Sequence, residues 1–194
     1  MRTTFTTLAA VLALSAAACG RNDEPVTTNT DIDNGLMAND MGNMDMGNAA
    51  GAAMPTDAAG FAAAVAASDL FEIESGKLAE AQASSAEVKS FAAQLQTDHS
   101  KSTADLKAAA QQSGVTVSPA LDAEKQAMLD ELRAATGADF DRLFIDQQAT
   151  AHQKALQLLR NYSNAGDNAA LKAFATKASG VVEGHLNHAN GMKQ

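Results

Sequence analysis

The sequence predicts an all-α protein whose folded part is a four-helix bundle. Apolar residues recur three or four positions apart in four stretches of about 22 to 27 residues, which is the spacing of one helix face. The apolar residues are largely alanine, aromatic residues make up 4% of the chain, and only three of the 194 residues are proline. Small side chains and few helix breakers favour closely packed helices over a sheet.

Capping signals and turn residues divide the folded part into five predicted helices. Ser84 and Glu87 fit a capping box at the start of the second helix. Ser118 and Pro119 mark the start of a shorter helix, because proline suits the first helical position. The expected helices cover, in chain order, residues 57–83, 86–112, 120–135, 138–162 and 169–190.

The connection between the second and third long helices is far longer than a hairpin turn needs. Segment 113–137 could run the length of the bundle as a crossover, which is the connectivity of ferritin-like bundles; a simple up-down arrangement stays open. The expected fold is therefore a ferritin-like four-helix bundle with a short extra helix in the connection between helices two and three.

Charge and motif content exclude several classes of function. The formal net charge of −9 argues against a nucleic-acid partner and against charge-driven binding to an anionic membrane. The sequence lacks a phosphate-binding glycine loop, the Gly-x-Ser-x-Gly motif and a thiol nucleophile in the folded part. We therefore predict no catalytic residues and favour a non-enzymatic role.

The N-terminal segment reads as an export signal. Residues 1–18 carry one positive charge, then an apolar run too short to span a bilayer, then small residues. Ala16 to Cys19 resembles a lipoprotein cleavage box, and lipidation would remove the unpaired thiol of the sole cysteine. Ordinary signal-peptidase cleavage, giving a soluble periplasmic protein, is the alternative. Gly20 after the cysteine favours an outer-membrane lipoprotein facing the periplasm.

Residues 19–56 are expected to form a flexible tether between the lipidated Cys19 and a bundle domain at 57–191. Five of the eight methionines fall in this tether. Met41, Met44 and Met46 resemble the methionine clusters that bind copper in bacterial envelopes, and thioethers select Cu(I). Compositional drift in a low-complexity linker would produce the same pattern.

Three of the four histidines lie on the apolar stripes of three different helices, each about halfway along its helix. These are His99, His152 and His185. Buried imidazoles need a hydrogen-bond partner or a ligand, so this level of the bundle is the candidate site. Glu72 of the first helix is expected at the same level, and His188 one turn past His185. The neighbouring candidates that would support these residues are Asp98 and Gln148.

Two interpretations of this histidine level remain open. Ferritin-like dimetal sites need about four carboxylates and two Glu-x-x-His pairs, and no glutamate lies three residues before any of the three histidines. Two or three imidazoles with one carboxylate could instead hold a single transition metal such as Cu, Zn or Fe. The other interpretation is a buried polar layer whose hydrogen bonds fix helix register.

Several motifs in order resemble one bacterial family. They are Phe71-Glu72-Ile73-Glu74, Asp98-His99-Ser100-Lys101, His152-Gln153-Lys154 and Leu171-Lys172-Ala173-Phe174. Over residues 57–190 the chain resembles the domain of unknown function 4142 family, also labelled "predicted outer membrane protein", which is similar to ferritin-like bundles. The resemblance implies an Asp-His pair in helix two and single histidines in helices three and four, matching Asp98-His99, His152 and His185. It implies an envelope location and assigns no activity.

Together these observations predict an exported envelope lipoprotein with a periplasmic helical bundle, attached to the membrane by its lipid. The main expectation is a non-enzymatic protein, with a role in stress as one option. The alternative is a protein that binds Cu, Zn or Fe, or a metal-dependent redox protein, using the histidine level of the bundle.

Overall fold

The computed structural model describes residues 53–193, and this part of the chain is built from five α-helices. The helices are α1 Ala58–Gln82, α2 Ala86–Gln111, α3 Ala123–Ala134, α4 Gly137–Ala165 and α5 Ala169–Gly191. The predicted all-α bundle with a short additional helix is confirmed. The predicted signal peptide, Cys19 and the tether with Met41, Met44 and Met46 lie outside the described residues.

Side-chain caps define where most of these helices begin. Asp57, Ser85, Asp122 and Asn168 each accept a hydrogen bond from a backbone N–H in the first turn of the helix that follows. The predicted cap at Ser84 is wrong, because Ser84 bonds to α4 instead. The predicted start of the short helix after Ser118 is also wrong. Its backbone becomes helical only where the Asp122 carboxylate is available to cap it.

Two apolar clusters, one in each half of the bundle, fix the direction of every long helix. The first cluster takes residues from the start of α1, the end of α2, the end of α4 and the start of α5; examples are Phe61, Leu106, Tyr162 and Leu171. The second takes the opposite ends; examples are Ala79, Val88, Phe140 and Ala189. Consequently α1 and α2 are antiparallel, α4 and α5 are antiparallel, and α2 and α4 run in the same direction.

The connection between α2 and α4 therefore crosses the length of the bundle. Val115 and Val117, just after α2, pack against the first cluster. Leu129 and Leu132 of α3 are buried in the second cluster. This path is the ferritin-like crossover, and it rules out the simple up-down arrangement.

Besides these apolar clusters, the four long helices bury a layer of polar side chains. Its members are Asp69, Glu72, Ser75, His99, Gln148, His152 and His185. Buried polar groups of this kind destabilise a core unless they are hydrogen-bonded, so their partners determine what the layer does. Among the described helices, none is long and apolar enough to cross a membrane.

Candidate metal centre

Three imidazoles from three helices meet in the buried polar layer. His99 of α2, His152 of α4 and His185 of α5 are all buried, and each offers one ring nitrogen within 4.8 Å of the others. The Nε2 atoms of His99 and His152 are 3.4 Å apart, and His152 Nε2 is 3.3 Å from His185 Nδ1. His152 is thus the central ring of the group, which we call the histidine triad.

The ring nitrogens that face away from the triad are each hydrogen-bonded to a group that can only accept. His99 Nδ1 donates to Asp69 Oδ1 at 2.8 Å, and His185 Nε2 donates to Asp98 Oδ2 at 2.9 Å. His152 Nδ1 donates to the backbone carbonyl of Gln148, also at 2.8 Å. Since a carboxylate or a carbonyl has no hydrogen to give, these bonds place a proton on each outer nitrogen.

The inner nitrogens of the triad are therefore lone-pair acceptors that point at one another. Two neutral acceptors cannot form a hydrogen bond, so the contacts at 3.4 and 3.3 Å lack a donor when all three rings are neutral. One extra proton on His99 serves the contact to His152 but leaves the contact between His152 and His185 without a hydrogen. A single cation bound by all three lone pairs satisfies both contacts.

The spacing and support of the triad suit a transition-metal ion. Metal–imidazole bonds of about 2.0 to 2.1 Å in tetrahedral geometry place ligand nitrogens roughly 3.3 to 3.4 Å apart, as in the two contacts that involve His152. Metal-binding histidines generally donate their other N–H to a carboxylate or a carbonyl, which fixes ring orientation and tautomer. All three rings have such a partner, so the residues fit a bound ion.

The local electrostatics keep two of the rings neutral and ready to bind. Burial, together with the neighbouring His99, lowers the pKa of His152 to about 3. Burial also lowers the pKa of His185, although Asp98 opposes this effect. For His99, burial disfavours the charged form, but the hydrogen bond to Asp69 and the nearby Glu72 outweigh it and raise its pKa.

Glu72 lies behind the triad. Its Oε1 atom is 3.8 Å from His152 Nδ1, on the outer side of that ring, and its Oε2 atom is buried without a hydrogen-bond partner. Burial raises the pKa of Glu72 to about 8, opposed by the nearby His99. The Glu72 side chain does not join the converging nitrogens, and it borders the site without completing it.

The other residues selected from the sequence occupy distinct places. Asp98 lies on the outer side of His185, and Gln148 holds His152 through its backbone while its side-chain amide donates to Ser75 Oγ at 3.0 Å. His188 is exposed, and its ring packs against Phe91 with the centroids 4.6 Å apart. The structure therefore brings His99, His152 and His185 together and leaves His188 outside.

Asp69 is the residue that the sequence analysis did not select. It is buried on α1, where its two carboxylate oxygens accept from His99 Nδ1 and from Thr103 Oγ1. The signal was present in the spacing, because Asp69 lies four residues after Val65 and three before Glu72 and so occupies the apolar stripe of α1. A charged residue at such a position needs a buried partner.

The family comparison agrees with the sequence resemblance. Residues 43–192 match the family described as "Domain of unknown function (DUF4142)". The chain belongs to this family. No curated protein matches the chain in sequence.

Two solved structures share the fold. The protein described as "CopM in the Cu(II)-bound form" matches with a TM-score of 0.60 and 19% identity, over 70% of this chain and 95% of that chain. "CopM in the Ag-bound form (by co-crystallization)" matches with a TM-score of 0.58 and 19% identity, over 70% of this chain and 94% of that chain. At this level of identity the likeness shows the arrangement of helices alone.

Proposed function

We propose that this protein binds one transition-metal ion in the histidine triad, through His99 Nε2, His152 Nε2 and His185 Nδ1. The observation that carries the proposal is the convergence of three lone pairs whose outer nitrogens are all engaged as donors. A purely structural layer would gain more from alternating donors and acceptors, because each unpaired buried nitrogen costs about 1 to 3 kcal/mol. A metal ion removes that cost for all three rings.

Cu(II) is the ion that we propose, with Zn(II) as the main competitor. Imidazole nitrogens suit both ions, and Cu(II) binds a given nitrogen site most tightly among the common divalent first-row metals. The relatives in fold are described as binding Cu(II) and Ag, which supports copper for this chain as well. Iron is less favoured, because the typical non-haem site adds a carboxylate ligand and Glu72 faces the outer side of His152.

Binding, without catalysis, is the role we propose for the centre. The three rings are buried, and their outer nitrogens are held by partners that fix them in place. Such a rigid, enclosed set of imidazoles suits the retention of an ion more than turnover, which usually requires an open coordination position and space for a substrate.

The setting we propose is the bacterial envelope. Export by residues 1–18, lipidation at Cys19 and a tether over 19–56 would hold the bundle on the periplasmic side of the outer membrane; release as a soluble periplasmic protein is the alternative. Met41, Met44 and Met46 would then offer thioethers for Cu(I), a softer ion than the one that three imidazoles prefer. The protein would bind copper in an oxidising compartment.

Cu(II) titration of the metal-free full chain tests the proposal. We expect the wild-type protein to bind one equivalent, with the electron paramagnetic resonance signature of nitrogen ligands. The double variant His99→Gln/His152→Gln keeps amide hydrogen-bonding groups in the core and should bind at least roughly a hundredfold more weakly. His188→Ala is the matched control, because it removes an exposed histidine from α5 and leaves the triad complete.

Three results would contradict the metal centre: substoichiometric Cu(II) in the wild type, equal affinity in the double variant, or an equal loss in His188→Ala. Circular dichroism of each variant separates a loss of binding from a loss of fold. Deletion of residues 37–46 addresses the tether separately, since it should remove Cu(I) binding there and leave the Cu(II) equivalent of the bundle unchanged.

A further inference from the structure

We infer that the metal ion enters and leaves the triad through a groove between α2 and α5, in which the Asp98 carboxylate is the first protein ligand that the ion meets. The inference rests on the proposed metal centre. We call this feature the entry groove, and its lining includes Asp98, His99, Ser102, Ala178, Val181 and Val182.

The entry groove touches the triad at one residue, because His99 is part of its lining. A second, smaller cavity shares four of these lining residues, namely His99, Ser102, Ala178 and Val182, and is also lined by Asp69 of α1. The groove and this cavity are therefore lined by one triad histidine, His99, and by the two carboxylates that hold rings of the triad, Asp98 and Asp69.

Asp98 connects the surface with the buried rings. Its side chain is 34% exposed, whereas that of its partner His185 is 3% exposed. Asp98 accepts the hydrogen bond from His185 Nε2, and an exposed carboxylate oxygen is also a ligand for an incoming divalent ion. The acidic group thus attracts the cation at the edge of the bundle, next to one of the rings that will hold it.

An ion pair lies across this groove. Lys177 of α5 contacts Asp105 of α2 at 3.0 Å, and Asp105 also accepts from Lys101 at 2.9 Å. All three residues line the groove. The pair joins the two helices that an ion must pass between, and the two ammonium groups repel a cation. Replacing Lys177 should therefore speed entry, because it removes a link between α2 and α5 and also one positive charge that repels the ion.

The groove on another side of the bundle provides a contrast. It lies between α1, α3 and α4 and includes Thr150, Lys154 and Met128, but no histidine of the triad lines it. Glu124, Lys125 and Lys154 line it, and a cation that enters it meets no imidazole of the triad. A side chain that fills this groove should leave metal entry unchanged.

Stopped-flow mixing of the metal-free full chain with Cu(II)-glycine tests the inference, with the copper absorption band followed over time. Val181→Trp places a large ring over the entry groove at an exposed position, and we expect Cu(II) uptake to slow roughly tenfold or more. Lys177→Met should speed uptake roughly two- to fivefold. Thr150→Trp is the matched control at an exposed position of the other groove.

The equilibrium affinity for Cu(II) distinguishes a wrong entry route from a wrong metal centre. A barrier on the entry route slows entry and exit by the same factor, so the Kd for Cu(II) should stay within about twofold in all three variants. If both Val181→Trp and Lys177→Met bind Cu(II) at the wild-type rate, the proposed entry route is wrong, whereas the proposed metal centre still stands. Failure of the wild type to bind Cu(II) at equilibrium would instead overturn the proposed function.

Discussion

Asp69 Oδ1 accepts a hydrogen bond from His99 Nδ1 at 2.8 Å, and both side chains are buried between α1 and α2. The second oxygen of Asp69 accepts from Thr103 Oγ1, so the carboxylate is held at both ends. This pair decides which nitrogen of His99 carries the proton, and thereby turns the Nε2 lone pair toward His152. The hydrogen bond between Asp69 and His99 therefore orients the ligand, although neither of its two atoms would bind the metal.

Asp69→Asn should weaken Cu(II) binding while the helical content is retained. The amide removes the negative charge that favours a donating Nδ1, and its NH₂ group can bond to that nitrogen and drive the proton onto Nε2. We expect the affinity to fall about 10- to 100-fold, measured by competition with a chromophoric chelator. Asp139→Asn, on an exposed acid of α4, serves as the control. Equal affinity in Asp69→Asn and the wild type would show that this contact does not orient the ligand.

Glu72→Gln should change how the stability of the metal-free protein depends on pH. The folded-state pKa of Glu72 is about 8, raised by burial above the ordinary 4.5. Between these values the folded protein holds a proton that the unfolded chain has lost, so this group makes the wild type less stable as pH rises. The stability of Glu72→Gln relative to the wild type should therefore increase from pH 5 to 8, by at most about 1.4 kcal/mol per pH unit.

Urea denaturation at several pH values measures this effect through the free energy of unfolding of both proteins. Glu80→Gln is the matched control, because Glu80 is an exposed glutamate on the same helix. A difference between Glu72→Gln and the wild type that stays constant from pH 5 to 8 would mean that Glu72 titrates near its ordinary pKa.

Asp141→Ala should destabilise the bundle without weakening the metal centre. The Asp141 carboxylate accepts from the backbone N–H groups of Ser84 and Ser85 at 3.0 and 2.9 Å and from the Ser84 hydroxyl, which ties the α1–α2 turn to α4. Removing it leaves two backbone donors unpaired, at a cost of about 2 to 6 kcal/mol. Denaturation should show this loss, whereas Cu(II) affinity should match the wild type. Asp139→Ala, at an exposed acid of α4, is the control. A loss of unfolding free energy in Asp141→Ala that is smaller than the loss in this control would contradict the stabilising role of the Asp141 contacts.

Cys19→Ser should release the protein from membranes. Under the proposed lipidation the Cys19 thiol carries the lipid, so the serine variant lacks the group that would anchor the protein. Fractionation of cells that express the full chain should move the variant from the membrane to the soluble fraction. Unchanged membrane association would count against the lipid anchor, and Ser15→Ala provides a neighbouring substitution that spares the cysteine.

Much of the fold follows from local signals in the chain. The apolar spacing of α1, α2, α4 and α5 locates each helix to within three residues, because one face of each must be buried and its turns are marked by polar residues or glycine. The same spacing places His99, His152 and His185 at one level. It is less informative for His188, which follows His185 by three residues and is therefore rotated by about 60° on the helix surface.

Interactions between distant residues could not be predicted in this way. Ser84 and Ser85 both resemble helix caps, and only the presence of Asp141, far along the chain, decides that Ser85 caps α2. Asp69 and His99 likewise become partners only when α1 and α2 pack together. A sequence pattern records the face on which a side chain lies, but not the group that it meets there.

The sequence by itself determined four long amphipathic helices, a short helix in the connection, and three histidines at one depth. The tertiary structure decided that α2 and α4 run in the same direction and that Nε2, Nε2 and Nδ1 are the nitrogens that converge. The physical reason is that helix periodicity arises from local burial, whereas tautomer and lone-pair direction depend on acceptors supplied by other helices. For His99 and His185 these are Asp69 and Asp98, which ordinary helix patterns cannot pair with their rings.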